Sequence, residues 1–198
     1  MKHLRFAIVV SACLALALAA SGQEKKMEKK APAKAPAMEM PKPGPEVKKL
    51  AYFVGNWTSE GDMKENPFGM PPGKFTGSDK CEWFQGGYQV VCHSTGKGPM
   101  GPMHSLGIIA YNANDKMYTY YGIDSMGMAE ESKGNVSGDT WTYTADEKMG
   151  GKTYHGKYTI MVGSPDSYTF KYETSEDGQK WSTMMEGKST KAGAAKKS

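Results

Sequence analysis

Two hydrophobic patterns divide the chain into a short helical segment and a long series of strands. Val47, Leu50 and Val54 recur at helical spacing, and Gly55 follows where a helix C-cap belongs. This pattern predicts a short helix over about 46–53. After Gly55, short runs of Tyr, Trp, Thr, Val and Ile alternate with Gly, Asn, Asp and Pro. That alternation is typical of strands separated by turns.

The turn signals define about ten strands. Gly86-Gly87 offers two positions of positive φ for a tight hairpin, and Gly or Asp stands at the other reversals. Consecutive hairpin-linked strands with no helix between them predict an all-β, antiparallel up-and-down meander. A meander this long closes into a barrel or a strongly curved half-barrel, because closure removes exposed edges. The predicted strands are 56–63, 74–84, 88–96, 103–111, 116–124, 128–136, 139–146, 152–162, 167–174 and 180–189.

Aromatic residues occur on both faces of the strand KMYTYYGID. Tyr118, Tyr120 and Asp124 share one face, while Tyr121 and Ile123 lie on the other. A strand between a core and water alternates more cleanly. A barrel with a partly polar, aromatic interior fits this pattern, and so does a sheet covered on both sides.

The segment CEWFQGGYQVVC carries a cysteine at each end. Folding it about Gly86-Gly87 places Cys81 directly opposite Cys92, within the Cα separation that a disulfide needs. A two-residue loop puts this pair at the wider, hydrogen-bonded kind of position, and a longer loop would reverse that parity. A redox dithiol more often shows C-x-x-C at a helix start, and a zinc site needs two more ligands. The spacing therefore favours a structural disulfide.

The N-terminus has the layout of an export signal. Lys2 and Arg5 precede a short apolar run that ends near Ala20, which predicts a signal peptide over 1–20. An uncleaved anchor is the alternative, and a lipobox-like sequence before Cys13 leaves lipidation as another. The chain is thus predicted to be secreted or periplasmic, without a transmembrane span once mature. The predicted organisation is a signal peptide at 1–20, a disordered Lys/Ala/Pro-rich linker at 21–46, a β-barrel domain at 47–190 and a disordered tail at 191–198.

Charge and motifs exclude several functional classes. The net charge of +4 over 198 residues lies largely in the terminal segments, which argues against a nucleic-acid footprint on the domain. GKGPMG matches G-x-G-x-x-G, but Pro99 lies inside it and a predicted strand follows where a helix should begin. No nucleophile elbow, zinc-protease motif or P-loop occurs in the sequence. An enzyme is therefore less expected than a binding protein.

Five residues are the candidate lining of a ligand pocket. Aromatic and methionine side chains suit an adaptable apolar pocket, and a carboxylate inside a barrel would orient a polar ligand group. Asp124 has a second interpretation as a strand-end acid that caps the SMG turn. The predicted ligand is a small apolar or amphipathic molecule. The candidates are Trp83, Tyr120, Asp124, Met126 and Met128.

Two other functions remain open, and no cofactor follows from the sequence. Met126 and Met128, predicted to share a strand face, would offer soft thioether ligands to Cu(I), with His93 or His104 nearby. Any of His93, His104 and His155 could ligate haem from a barrel wall. The other open function is that of an enzyme that uses a barrel-interior acid such as Asp124.

Two stretches of the chain carry a resemblance to known proteins. LAYFVGNWTSEG resembles the first segment of lipocalin-like (calycin) barrels, where a short helix precedes Gly-x-Trp on the first strand. The middle of the chain is similar to an uncharacterised family of exported bacterial proteins, with a Gly-turn hairpin, a GMP-like loop, Lys-x-Tyr and IDSMG in the same order. The resemblance covers most of 47–190. The matching positions are Gly55, Trp57, Gly107, Tyr111, Tyr118 and Asp124.

This resemblance implies a calycin-like barrel with no established activity, in which Trp57 closes the narrow end. Nitrobindin-type haem barrels are more distant relatives that begin with GxWxGxG. The corresponding stretch of this chain is GNWTSEG, with Ser59 in place of a glycine.

Overall fold

The computed structural model describes residues 42–193, which form a short helix and ten antiparallel strands. The helix α1 is Pro45–Lys49, and a 3-10 turn, Leu50–Phe53, continues it. We call residues 45–53 the plug. The strands are β1 Gly55–Met63, β2 Gly73–Trp83, β3 Gln89–Gly98, β4 Gly101–Asn112, β5 Met117–Asp124, β6 Ala129–Ser137, β7 Thr140–Met149, β8 Lys152–Ser164, β9 Ser167–Ser175 and β10 Ser182–Lys191.

The predicted signal peptide, Cys13, most of the predicted linker and the end of the predicted tail lie outside the described residues. Within 42–193, no helix has the length and apolar character needed to cross a membrane.

The strands close into a complete barrel. Each strand pairs with its neighbours in sequence, and the last strand, β10, pairs with β1 from Trp57↔Lys191 to Met63↔Met185. The predicted up-and-down antiparallel barrel is confirmed, and the open half-barrel is excluded. Closure satisfies the backbone groups of both edge strands.

The plug covers one end of this barrel. Its apolar residues Val47, Leu50 and Phe53 are buried in the same core as residues of the strands. The Phe53 ring lies 4.9 Å from the ring of Trp141. Trp57 is 2 % exposed, and its indole Nε1–H donates a hydrogen bond of 2.8 Å to the Phe53 carbonyl oxygen. This is the closed end, and Trp57 lies where the resemblance places it.

The disulfide lies near the closed end. Cys81 pairs directly with Cys92 across β2 and β3, with the two Cα atoms 4.0 Å apart and the sulfurs bonded at 2.06 Å. The prediction of a two-residue hairpin at Gly86-Gly87 is wrong. The loop is longer, because the Phe84 N–H donates to the Gln89 carbonyl at 2.8 Å. The longer loop shifts the parity, so the cysteines occupy the closer, non-hydrogen-bonded kind of position.

Candidate functional site

A row of polar residues crosses the inner wall of the barrel. Asp79 on β2 pairs with Ser94 on β3, Ser94 pairs with Ser105 on β4, and Ser105 pairs with Asp124 on β5. Directly paired residues point to the same face of a sheet. Cys81, which is buried, lies two residues from Asp79 on that face, so the whole row faces inward. We call these four residues the polar row.

Aromatic side chains face the interior behind this wall. Phe75, Tyr120, Tyr158 and Tyr172 face inward from β2, β5, β8 and β9, and each is only half-buried. Side chains in the middle of a filled barrel would be fully buried, because barrel interiors pack to high density. The partial accessibility of these side chains indicates that the interior is incompletely filled at their positions. We call this interior the lumen.

Aromatic rings lie against glycines of the inner wall. A Cβ atom at Gly107 would stand 2.7 Å from the Tyr120 ring, and one at Gly61 would stand 2.7 Å from the Phe75 ring. The rings occupy the space that side chains at these positions would need. They consequently lie along the wall at these two positions.

Two further carboxylates face the lumen. The Glu130 side chain lies over Gly122, where a Cβ would be 3.2 Å from its Cγ. The Glu147 carboxylate accepts a short hydrogen bond from the Tyr172 hydroxyl and lies over Gly156. With Asp79 and Asp124, these residues form the acidic lining, defined as Asp79, Asp124, Glu130 and Glu147.

Burial perturbs the titration of two of these carboxyls, Asp79 and Glu130. It raises the pKa of Asp79, against a hydrogen bond with Ser94 that lowers it. It also raises the pKa of Glu130, and the carboxylates of Glu147 and Asp124 raise that pKa further. The charged form of a carboxyl loses solvation when it is buried, so each pKa moves up.

The pKa shifts of the inward-facing tyrosines indicate how close these groups are to one another. Burial raises the pKa of Tyr120 well above its ordinary value, and the charges of Glu130, Asp79 and Asp124 add to the shift. Burial likewise raises the pKa of Tyr158, with smaller contributions that include Asp79 and Glu130. Residues from β2, β5, β6 and β8 thus meet in one space.

Basic side chains are absent from this space, as far as residues 42–193 are concerned. No ion pair of the described residues involves the acidic lining. Lys191 pairs with Trp57 at the closed end, and its Nζ lies 5.2 Å from the Trp57 ring centroid. Lys152, at the other end of the barrel, pairs with Glu176 at 3.1 Å. Between the two ends, the lumen carries negative groups without a cationic partner in this part of the chain.

The five sequence-predicted residues do not form one cluster. Tyr120 lies in the lumen wall, and Asp124 lies at the end of β5 that is remote from the plug. Met126 and Met128 are 52 % and 53 % exposed in the turn that follows Asp124. Trp83 ends β2 near the closed end and is 36 % exposed. Their shared role as a ligand lining stays a prediction, and the structure separates Trp83 from the other four.

Asp124 also holds a turn. Its Oδ1 accepts hydrogen bonds of 2.9 Å from the backbone N–H groups of Met126 and Met128. The prediction that these methionines share a strand face is wrong, because β5 ends at Asp124 and β6 begins at Ala129. The capping interpretation of Asp124 is confirmed, and the same residue belongs to the polar row.

The histidines of the barrel point away from the lumen. His93 and His104 are exposed, at positions that alternate with the inward-facing residues of β3 and β4. The His155 Nδ1 lies 2.7 Å from an Asp146 carboxylate oxygen on the outer wall. Within residues 42–193, no group of three or more His, Cys, Asp or Glu side chains is placed to hold a metal ion.

Sequence reasoning did not identify Asp79, Glu130, Glu147, Tyr158 or Tyr172 as lumen residues. A signal for Asp79 was present in the sequence. Asp79 is two or four residues from Phe75, Gly77 and Cys81, so a strand places all four on the same face. The burial of Cys81 marks the inner face of β2. The other four required the register of β6 to β9, which no short-range pattern specifies.

A separate depression lies on the outer wall. It encloses about 710 Å³ over the backbone at Gly61 and Gly187, and charged side chains of both signs surround it, including Lys171 and Glu186. It includes no residue of the polar row. Phe75, whose ring also faces the interior, contributes to its lining.

The fold has counterparts among solved structures. The crystal structure of Rv2717c from M. tuberculosis matches with a TM-score of 0.54 and 13 % identity, over 75 % of this chain and 98 % of that chain. A de novo designed fluorescence-activating beta barrel matches with a TM-score of 0.41 and 15 % identity, over 72 % of this chain and 95 % of that chain. At 13 % identity, the likeness to Rv2717c concerns the fold alone.

The sequence comparisons identify a family without an assigned activity. No curated protein matches the sequence. The model of the family described as "Protein of unknown function (DUF1579)" matches residues 42–191, which includes the plug and every strand, and the chain belongs to that family.

Proposed function

We propose that this protein is an exported binding protein that holds a small amphipathic molecule in the lumen of its barrel. One observation carries the proposal: inward-facing side chains in the middle of the wall, such as Tyr120 and Tyr158, keep accessible surface. A concave, mostly apolar space with a few convergent polar groups is the usual form of a small-molecule site.

The ligand enters at the end remote from the plug. Phe53 and Trp57 fill the closed end. At the other end, Asp124 borders the lumen, and the exposed Met126 and Met128 stand beside it. Methionine side chains adapt their shape readily, which suits a mouth that admits a flexible molecule.

The lining suits a molecule with both an apolar and a polar part. Rings of Phe75, Tyr120 and Tyr158 offer apolar surface, while the polar row supplies hydroxyl and carboxylate oxygens from β2 to β5. An apolar part alone would leave those oxygens desolvated and unpaired, which is unfavourable. The ligand is therefore amphipathic.

Export is part of the proposal. The Cys81–Cys92 disulfide fits an oxidising compartment, and the N-terminal apolar run after Lys2 and Arg5 has the form of a signal. Secretion or periplasmic residence agrees with both features.

The test uses a neutral fluorescent dye, Nile red, and two matched variants. Ser105→Phe places a ring in the lumen, whereas Ser78→Phe places the same ring at an exposed position on the outer wall. We expect the wild type and Ser78→Phe to bind the dye with equal affinity and Ser105→Phe to lose binding. Equal binding by Ser105→Phe, or no binding by the wild type, overturns the proposal.

A further inference from the structure

The loop between β1 and β2 extends over the mouth of the barrel, the end remote from the plug. We call residues 64–72 the mouth loop. Its Phe68 ring lies edge-on to the ring of Tyr154 on β8, with the two ring centroids 4.7 Å apart. In the barrel wall, β10 and β9 separate β1 from β8. Tyr154 pairs with the inward-facing Glu147 and is 7 % exposed, so Phe68 reaches it across the opening.

One side chain gives the mouth loop its shape. The Asn66 amide nitrogen donates hydrogen bonds of 3.0 Å to the carbonyl oxygens of Lys64 and Met70. Its amide oxygen accepts hydrogen bonds from the N–H groups of Phe68 and Met70, at 3.1 and 3.2 Å. Asn side chains stabilise turns by bonding to nearby backbone groups in this way. Residues 64–70 are therefore held as one unit that presents Phe68 to the opening.

This unit is held firmly at its start and lightly at its tip. The Lys64 N–H donates to the Met184 carbonyl oxygen at 2.9 Å, and the Lys64 Nζ lies 2.8 Å from a Glu186 carboxylate oxygen. At the tip, Phe68 meets the far wall through an edge-to-face ring contact, which is a modest interaction. The chain rejoins β2 at Gly73, whose φ of +149° suits glycine. Loops that close over binding sites move about such element-terminal positions.

The other long loop at this end lies on the outer wall. In the β9–β10 loop, the Trp181 ring centroid lies 3.9 Å from the Nζ of Lys157. Lys157 alternates with the inward-facing Tyr158 along β8 and therefore points outward. Of the two long loops, the mouth loop is thus the one that projects towards the lumen.

We propose that the mouth loop is a gate, and that Phe68 leaves Tyr154 before a small molecule enters or leaves the lumen. This inference rests on the proposed function for the role of the lumen as a binding space. A gate that does not touch the bound ligand changes the rates of entry and exit by the same factor, so the dissociation constant stays the same. A residue that contacts the ligand would instead change the dissociation rate and the affinity together.

Labelling of an introduced cysteine tests the gate without a ligand. Ser132 faces inward from β6, where it pairs with Tyr120, and it is 9 % exposed. In the mature chain Cys81 and Cys92 are bonded to each other, so Ser132→Cys supplies the free thiol. Its reaction with iodoacetamide is followed by mass spectrometry. We expect Phe68→Ala to raise the labelling rate about tenfold, because a covered group reacts from the open state.

Matched variants separate gating from a general loosening of the barrel. Phe84→Ala removes the same ring from the β2–β3 loop at the plug end, where Phe84 is 58 % exposed, and should leave the labelling of Ser132→Cys unchanged. Ser137→Cys, exposed on the same strand, should react at one rate whether or not Phe68 is replaced. If Ser132→Cys does not fold, Ser105→Cys is the second lumen probe, with the same expectation. A lumen probe that is insensitive to Phe68→Ala, or that Phe84→Ala accelerates equally, overturns the gate.

Stopped-flow binding of Nile red tests the same gate with a ligand. We expect Phe68→Ala to raise the association and dissociation rate constants by the same factor and to leave the dissociation constant unchanged. A rise in the dissociation rate alone would mean that Phe68 contacts the dye, which overturns the gate. If Nile red does not bind the wild type but Phe68→Ala still accelerates labelling of the lumen thiol, the gate stands and the proposed function fails.

Discussion

Asp79 on β2 and Asp124 on β5 are the two ends of one row of directly paired residues on the inner wall, with Ser94 and Ser105 between them. A wall that only packed a core would carry apolar side chains at these positions. Polar residues on four neighbouring strands lower the stability that burial could supply. The polar row is therefore the part of the barrel that is best explained by a ligand.

Replacement of Asp79 by Asn is expected to stabilise the empty barrel at neutral pH. Because burial raises the pKa of Asp79, its contribution to stability is fully present below the pKa of the unfolded chain and is lost as the pH rises through the folded pKa. Tyr120, Tyr158 and Tyr168 face Asp79 across the lumen, and none of them supplies a positive charge. Asn keeps a hydrogen-bonding group for Ser94 and does not ionise.

Urea unfolding between pH 4 and pH 8 measures this effect. The free energy of unfolding of the Asp79→Asn variant should exceed that of the wild type by an amount that grows with pH. Asp139→Asn, at an exposed turn, is the control and should show no such trend. A lower stability of Asp79→Asn at pH 8 would contradict the assignment of Asp79 as a desolvated carboxylate.

Two tyrosine hydroxyls are expected to differ in their contribution to the free energy of unfolding. The Tyr118 hydroxyl donates to the Glu46 carboxylate at 2.6 Å and thereby ties the plug to β5, whereas the buried Tyr143 hydroxyl has no partner among the described residues. Tyr118→Phe should therefore lower the free energy of unfolding by about 1–2 kcal/mol, and Tyr143→Phe should leave it unchanged or raise it. Chemical denaturation of the ligand-free protein compares the two. Equal losses in both variants would show that Tyr143 has a partner in the protein itself.

The packing of Tyr120 against Gly107 predicts a specific steric conflict. A Cβ at Gly107 would stand 2.7 Å from the Tyr120 ring, so Gly107→Ala should cost about 1–3 kcal/mol. The cost should largely vanish in a Tyr120→Ala background, which a double-mutant cycle measures. Gly77→Ala is the control, because the nearest atom to a Cβ there is 3.5 Å away. Equal effects at Gly107 and Gly77 would mean that the ring does not lie against this wall.

The Cys81–Cys92 disulfide is expected to stabilise the barrel measurably. It closes a loop with a sequence separation of 11, for which the loss should be about 2–3 kcal/mol in a variant with both cysteines changed to serine. Reductant should lower the free energy of unfolding of the wild type towards that of this variant. It should not change the free energy of unfolding of the variant itself. A wild-type stability that is insensitive to reductant would show that the bond contributes little.

The strands could be predicted from the sequence because every reversal carries its own local signal. Gly, Asp or Asn stands at each turn, and β-branched and aromatic residues fill the runs between them. Closure of the barrel also followed, since a long meander leaves two edges that only each other can satisfy. The resemblance to calycin barrels pointed to the same fold.

The lumen could be predicted only in part. Tyr120 and Asp124 were identified because their alternation is visible within one strand. The methionine pair was misassigned to a strand, because the sequence does not show that Asp124 bonds to Met126 and Met128 and thus makes them a turn. Glu130 and Glu147 become neighbours of Asp124 only through the register of several strands, and register is a tertiary property.

Native mass spectrometry of the protein purified from its own host tests the central claim most directly. We predict that the wild type retains a small molecule, and that Ser105→Phe from the same host carries none because its lumen is filled. If both proteins have the mass of the bare chain, and the wild type also fails to bind Nile red, then the barrel is not a carrier and the account is contradicted.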